Sequence, residues 1–94
     1  MKTRIVIDAP RRILTVGKRE VRLTHKEFEL AIVLSSSNGA VVTRREFLQK
    51  IWRVKDASEI ATRTVDQHMS RLRRKLGAAG ARIRTVPKIG YQLL

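Results

Sequence analysis

The stretch Arg63-Thr-Val-Asp-Gln-His-Met-Ser-Arg-Leu-Arg-Arg-Lys-Leu76 decides the reading of this chain. Set on a helix at 100° per residue with Val65 at zero, Met69, Leu72 and Leu76 fall within about 40° of Val65. That narrow apolar stripe must face a core. Arg63, Gln67, Ser70, Arg71 and Arg74 fall on the opposite side. These residue types bond to base edges and phosphates. Arg73 and Lys75 lie on the flanks, within reach of a backbone on either side. An ordinary solvated helix face mixes Glu with Lys and Arg, whereas the only acid here is Asp66. Asp66 reads as a residue of the helix N-terminus, where the dipole favours a carboxylate. The helix is expected over 62–76, with its stop at Gly77. Its dimensions and chemistry suit a major groove, with Arg63 and Thr64 near its start meeting phosphate or the first bases.

Working outward, two capping boxes stand upstream. Thr24-His-Lys-Glu27 opens a first helix with Phe28, Ala31, Ile32 and Leu34 inward, ended by Ser35-Ser-Ser-Asn-Gly39. Thr43-Arg-Arg-Glu46 opens a second, with Phe47, Leu48, Ile51 and Trp52 inward. Val41-Val42 between them is briefly extended, and 53–61 carries no period and reads as a loop. Residues 4–23 alternate apolar and polar and are cut by turn signals at Asp8-Ala-Pro10 and Gly17-Lys18. They predict three short antiparallel strands, the third carrying Val21 and Leu23. The chain closes on a hairpin, 82–86 and 91–94, turning at Pro87-Lys88, where the fixed φ of proline suits the second turn position. Gly90 is expected to serve a turn or bulge.

Composition limits the function. Ninety-four residues make one modest core. The chain has 21 Lys and Arg against 8 acids, a net charge of +13. A domain so charged repels itself unless a polyanion is near, and nucleic acid is the usual one. An anionic membrane or an acidic protein would meet the same charge. From residue 61 onward there are eight basic residues and one acid, so an electrostatic surface should centre on the last third. The chain has no Cys and two His, which leaves no thiolate metal site, no nucleophile with its base and no ligand cluster. No Gly-rich phosphate loop is present. Catalysis, metal and cofactor are therefore not expected. No apolar run reaches the roughly 20 residues of a membrane span, and the N-terminal segment is not a secretory signal.

The third-helix string is very similar to the recognition helix of the OmpR/PhoB-type response-regulator effector domain. Leu23-Thr24, Glu27-Phe28 and Leu30 resemble its first helix, Thr43-Arg44, Leu48 and Ile51-Trp52 its second, and Thr85-Val86 and Gly90-Tyr91 its wing. The resemblance covers essentially the whole chain. It implies an α+β winged helix-turn-helix over 1–94: an antiparallel sheet (1–23), a three-helix core (24–76) and a C-terminal β-hairpin wing (81–94). It also implies sequence-specific binding to double-stranded promoter DNA in the bacterial cytoplasm, on the nucleoid when bound. Such domains often bind as head-to-tail pairs on direct repeats, and the 53–61 loop would touch RNA polymerase. By position, Arg71 looks like a base contact. Arg63, Thr64, His68, Arg73 and Thr85 look like contacts to phosphate or groove walls, and Arg44, Trp52 and Tyr91 like backbone contacts.

Bland roles stand beside these. Trp52 and Tyr91 are expected to bury their rings, and the position of His68 about 60° off the stripe suits half-buried packing as well as phosphate. The sequence also departs from the family pattern. Pro87 and Lys88 stand where the wing usually carries Arg and Gly, so Lys88 substitutes a point charge for a guanidinium. Arg53 stands where a Gly commonly follows the Trp. No receiver-like segment precedes the sheet, which fits an excised effector domain and a stand-alone regulator alike. The alternative to base reading is a winged-helix module that binds protein, or any polyanion without preference.

Overall fold

The computed structural model describes residues 4–54 and 59–94. Strands β1 (Ile5–Asp8), β2 (Ile13–Val16) and β3 (Arg19–Val21) form an antiparallel sheet in that order, with Ile7 opposite Leu14 and Leu14 opposite Val21. Gly17 and Lys18 make the two-residue turn between β2 and β3. Gly17 takes φ +60°, as the first position of a primed hairpin turn demands. The third strand ends at Val21, so Leu23 lies outside it, half-buried, just ahead of the Thr24 cap.

Both capping boxes form. Thr24 opens α1 (His25–Ser36), its hydroxyl accepting from the Glu27 N–H while the Glu27 carboxylate accepts from the Thr24 N–H. Thr43 does the same with Glu46 for α2 (Arg44–Phe47). The helix then widens into a π-helical stretch, Leu48–Trp52, and stops at Arg53. Arg53 sits at φ 57°, ψ 34°, and the Arg53 and Val54 N–H groups both donate to the Leu48 carbonyl. A left-handed residue closing the last turn is the ordinary place of glycine, which explains the family's Gly after the Trp.

The longest helix, α3 (Glu59–Leu76), begins earlier than expected, so 59–61 belong to helix and not to loop. The rest of the expected 53–61 loop, residues 55–58, lies outside the described residues. The earlier start moves Asp66 two turns into the helix. The dipole reading of that carboxylate therefore fails. Gly77, at φ +63°, ends α3 and a 3₁₀ turn (Gly77–Arg82) leads to β5 (Ile83–Val86) and β6 (Gly90–Leu93). The short β4 (Val42–Thr43) pairs with β6, giving a second sheet ordered β4-β6-β5.

The core lies between the two sheets and the helices. Leu14, Phe28, Leu30, Leu34, Phe47, Leu48, Val65, Met69 and Leu72 are fully buried there, and Ile32 and Trp52 pack against it half-buried. Gly90 is required for close approach, which replaces the turn or bulge expected of it. A Cβ there would lie 1.9 Å from the Val42 carbonyl oxygen on β4.

Candidate nucleic-acid interface

The stripe of α3 divides as its period dictates. Val65, Met69 and Leu72 are wholly buried, and Leu76 is nearly so. Arg63, Gln67, Ser70, Arg71 and Arg74 are exposed on the outer face. Among the described residues none of these five side chains makes a hydrogen bond or ion pair. Eighteen residues give a rod of about 27 Å with an unpaired guanidinium at intervals along it. Thr64 lies at the margin, half-buried.

The flanks are occupied differently. On one, the Asp66 carboxylate accepts from the Arg44 Nε at 2.8 Å and from the Tyr91 hydroxyl, which joins α2, α3 and β6 at one oxygen. The guanidinium of Arg44 lies 5.1 Å from the centre of the Tyr91 ring and that of Arg73 lies 5.2 Å from it. Two cations thus stack on one aromatic ring, which the ring's quadrupole favours. Arg73 also donates to the Thr85 hydroxyl on β5, while its Nε is buried and unpartnered. Burial opposes the Arg44 charge, but the Asp66 carboxylate outweighs it and the guanidinium is held charged more firmly than a free one. Burial first, and then the Asp66 carboxylate, push the Tyr91 phenol above its ordinary range, so it stays a proton donor.

On the other flank, the Lys75 ammonium meets the buried Glu27 carboxylate at 2.6 Å. Lys75 is thereby committed to α1. Burial alone would raise the Glu27 pKa. The Lys75 ammonium and the Thr24 capping contacts outweigh it, and the net shift is downward. His68 donates from Nδ1 to the Thr64 carbonyl at 2.8 Å, since that carbonyl can only accept. Its ring meets Trp52 edge to face at 5.2 Å, and Lys26 covers the Trp52 ring while donating to the Ile51 carbonyl.

The wing stands beside α3. Its tip is a turn in which the Ile89 N–H donates to the Val86 carbonyl at 3.0 Å. Pro87 fills the second position as expected, and Lys88 the third, at φ 66°. A type II turn requires that φ, and glycine is its usual supplier. Arg84, Thr85, Lys88 and Ile89 are exposed along the hairpin. An open cleft of about 430 Å³ separates wing and helix and is lined in part by Arg73, Arg74, Gly77 and Thr85.

The structure therefore brings the face residues and Lys88 to solvent as free donors. It engages Arg44, Trp52, His68, Arg73, Thr85 and Tyr91 with one another or with the frame. Sequence reasoning missed Asp66 as the hub of that frame, and the Glu27–Lys75 pair. The one available signal was a lone acid among the basic residues from Arg63 onward. Among the described residues no cluster of His, Asp and Glu is arranged to hold a metal ion, and no helix is long and apolar enough to cross a membrane.

The fold is similar to that of known proteins. The family described as "Transcriptional regulatory protein, C terminal" matches residues 17–93. The transcriptional regulatory protein VxrB of Vibrio cholerae is 36% identical over 89 residues, covering 95% of this chain and 35% of its own length. This chain thus spans about a third of that relative. The Klebsiella pneumoniae RstA DNA-binding domain, solved in complex with the RstA box, superposes with a TM-score of 0.82 at 28% identity. That match covers 99% of this chain and 94% of the RstA chain. The DNA-binding domain of the response regulator AdeR, in complex with an intercistronic region, gives 0.80 at 28% identity, covering 99% and 96%.

Proposed function

The chain belongs to the family of C-terminal winged-helix DNA-binding domains of OmpR/PhoB-type transcriptional regulators, and from that membership we propose how it binds duplex DNA. The observation that carries the reading is the outer face of α3, where three arginines, a glutamine and a serine stand exposed and unpaired opposite a fully buried stripe. Unpaired donors spaced along a rigid helix are what base edges and phosphates of a major groove require. Arg71 reads bases, with Gln67, Ser70 and Arg74 beside it, and Arg63 and Thr64 meet the backbone at the helix start. Arg73 and Thr85, already joined, present one edge of the wing cleft to a phosphate, and Lys88 reaches the flanking groove from the wing tip. Arg44, Trp52, His68 and Tyr91 act chiefly by holding α3 at its angle, with any backbone contact made from those held positions.

The native protein is proposed to regulate transcription in the bacterial cytoplasm from promoter sites. A single small domain buries limited surface, so paired copies on a direct repeat supply much of the working affinity. Contact with RNA polymerase through the 53–61 segment is part of the same proposal. No catalytic step and no cofactor are assigned.

The test is selection of bound duplexes from a random pool at physiological salt. A short repeated motif supports sequence-specific regulation. R71A should relax preference within that motif, while R73A should weaken all duplexes alike. Unenriched DNA would leave a non-specific polyanion binder, and no recovered DNA a protein-binding module.

A further inference from the structure

We propose that Gln67 reads an adenine and, with Arg71 one turn further along α3, sets a two-base signature in the preferred site: an A·T pair and a G·C pair about one to two base steps apart. The inference rests on the DNA reading above and deepens it.

Rotation of the helix comes first. Val65, Met69 and Leu72 are 0% exposed and Leu76 is 2% exposed, so one side of α3 is fixed inward. At about 100° per residue, Gln67 points within about 10° of the direction opposite the centre of that stripe. Both flanks keep the helix from rolling. On one, Asp66 is held by Arg44 and Tyr91. On the other, Lys75 meets Glu27 and the His68 ring packs on Trp52. Gln67 therefore stands at the crest of the outer face, exposed and without a hydrogen-bond partner among the described residues.

The amide decides the ligand. Phosphates reward charge, so a neutral side chain among arginines gains little from them. A primary amide carries a donor and an acceptor side by side. In the major groove, adenine is the one base that offers the complementary pair, its N6 donor beside its N7 acceptor. Guanine offers two acceptors and suits a guanidinium. Arg71 lies four residues on, about 6 Å along the axis. Base pairs stack about 3.4 Å apart, so the two side chains meet edges about one to two steps apart, the smaller figure applying where the helix crosses the groove obliquely. The shorter glutamine needs the crest to reach an edge. Arg71, about 50° off the crest, has the length to reach from the side.

The experiment selects duplexes from a random pool with the parental chain, Q67A, Q67E and R71A. Both positions are exposed, so the fold is retained; thermal melts check it. The parental motif should hold an adenine about one to two steps from a guanine. Q67A should lose preference at the adenine alone. It should bind the parental site about tenfold more weakly, with mixed-sequence affinity and salt slope unchanged. R71A should lose the guanine. Q67E can only accept, so it should exchange the adenine for cytosine, whose N4 donates. In the selected duplex, 7-deazaadenine at that position removes the N7 acceptor and leaves the backbone intact. The parental chain should lose affinity several-fold and Q67A should lose none.

An adenine preference that survives in Q67A or Q67E overturns the proposal, and so does an equal response of parent and Q67A to 7-deazaadenine. A Q67A loss that falls equally on mixed duplexes overturns it too, since the amide would then serve no base. A guanine that survives in R71A removes the second half of the signature. If the parental chain enriches no motif, the DNA reading fails and the signature with it. If Q67A enriches the parental motif unchanged, the DNA reading stands and Gln67 is a solvated residue only.

Discussion

Replacing Glu27 by Gln removes one charge from the best-buried acid among the described residues and nearly nothing else. Glu27 is 1% exposed, accepts from the Thr24 N–H at 2.9 Å and meets the Lys75 ammonium at 2.6 Å. Glutamine keeps the capping acceptor, so the loss is that of a charged partner to Lys75. Hydrogen bonds to charged groups are worth about 1.5–3 kcal/mol. The Lys75 side chain is 38% exposed and recovers part of that from water, so about 1–2 kcal/mol is expected. Unfolding entropy near 2.1 cal/mol/K per residue makes this a fall in Tm of about 5–10 °C at neutral pH. The Glu27 pKa is depressed in the folded state, so its contribution is full above the unfolded value of about 4.3 and is lost as pH falls through the lower folded one. Thermal melts of parent and E27Q should therefore converge as the pH drops below about 4. K75M should cost more than E27Q, about 3 kcal/mol, because it strands the buried member of the pair. Equal melting of parent and E27Q at pH 7, or a gap that persists unchanged into acid, would refute the reasoning.

Two further predictions concern backbone fit. G90A should be severely destabilising, by about 3 kcal/mol or more, because the new Cβ would meet the Val42 carbonyl at 1.9 Å and part β4 from β6. Faster amide exchange at Val42 and Tyr91 would report the parting, and a melt within a few degrees of the parent would exclude it. K88G should raise Tm by about 5 °C, since Lys88 holds φ 66° at the wing tip and glycine relieves about 1 kcal/mol there. A lower Tm would show that the turn is held by the lysine side chain and not opposed by its backbone.

What the sequence disclosed, and what it hid, follows from distance along the chain. The α3 stripe and the two capping boxes are local, because their partners stand three or four residues apart and the period can be read directly. The Asp66 contacts span 22 residues to Arg44 and 25 to Tyr91, and the Glu27–Lys75 pair spans 48. Nothing in the spacing of either segment announces such pairs. The start of α3 escapes the apolar period because 59–61 precede the stripe; the sequence Asp56-Ala-Ser-Glu59 was the signal that could have placed it. Gly90 looked like a turn glycine because its neighbour Val42 arrives only through the β4–β6 pairing. The resemblance reached further, marking Arg44, Arg73, Thr85 and Tyr91 as important, but it could not say that they touch one another.

That mutual contact changes how substitutions around this surface should be understood. A residue on the outer face of α3, such as Arg71, has no partner among the described residues, so its loss is expected to take little from stability and, on the proposed reading, to remove a contact to DNA. Residues of the flank form a chain from Arg44 through Asp66 and Tyr91 to Arg73 and Thr85, binding two helices to both strands of the wing. Neighbours within one network are not additive in their effects. Truncating Tyr91, where that chain of contacts crosses from α3 to β6, is expected to loosen the seat of the wing beside α3. On the proposed reading helix and wing meet one duplex, so a change in that seat is expected to be felt along the whole contact. On the proposed reading the flank therefore conditions what the face can reach, and a contact list drawn from the face alone would omit it.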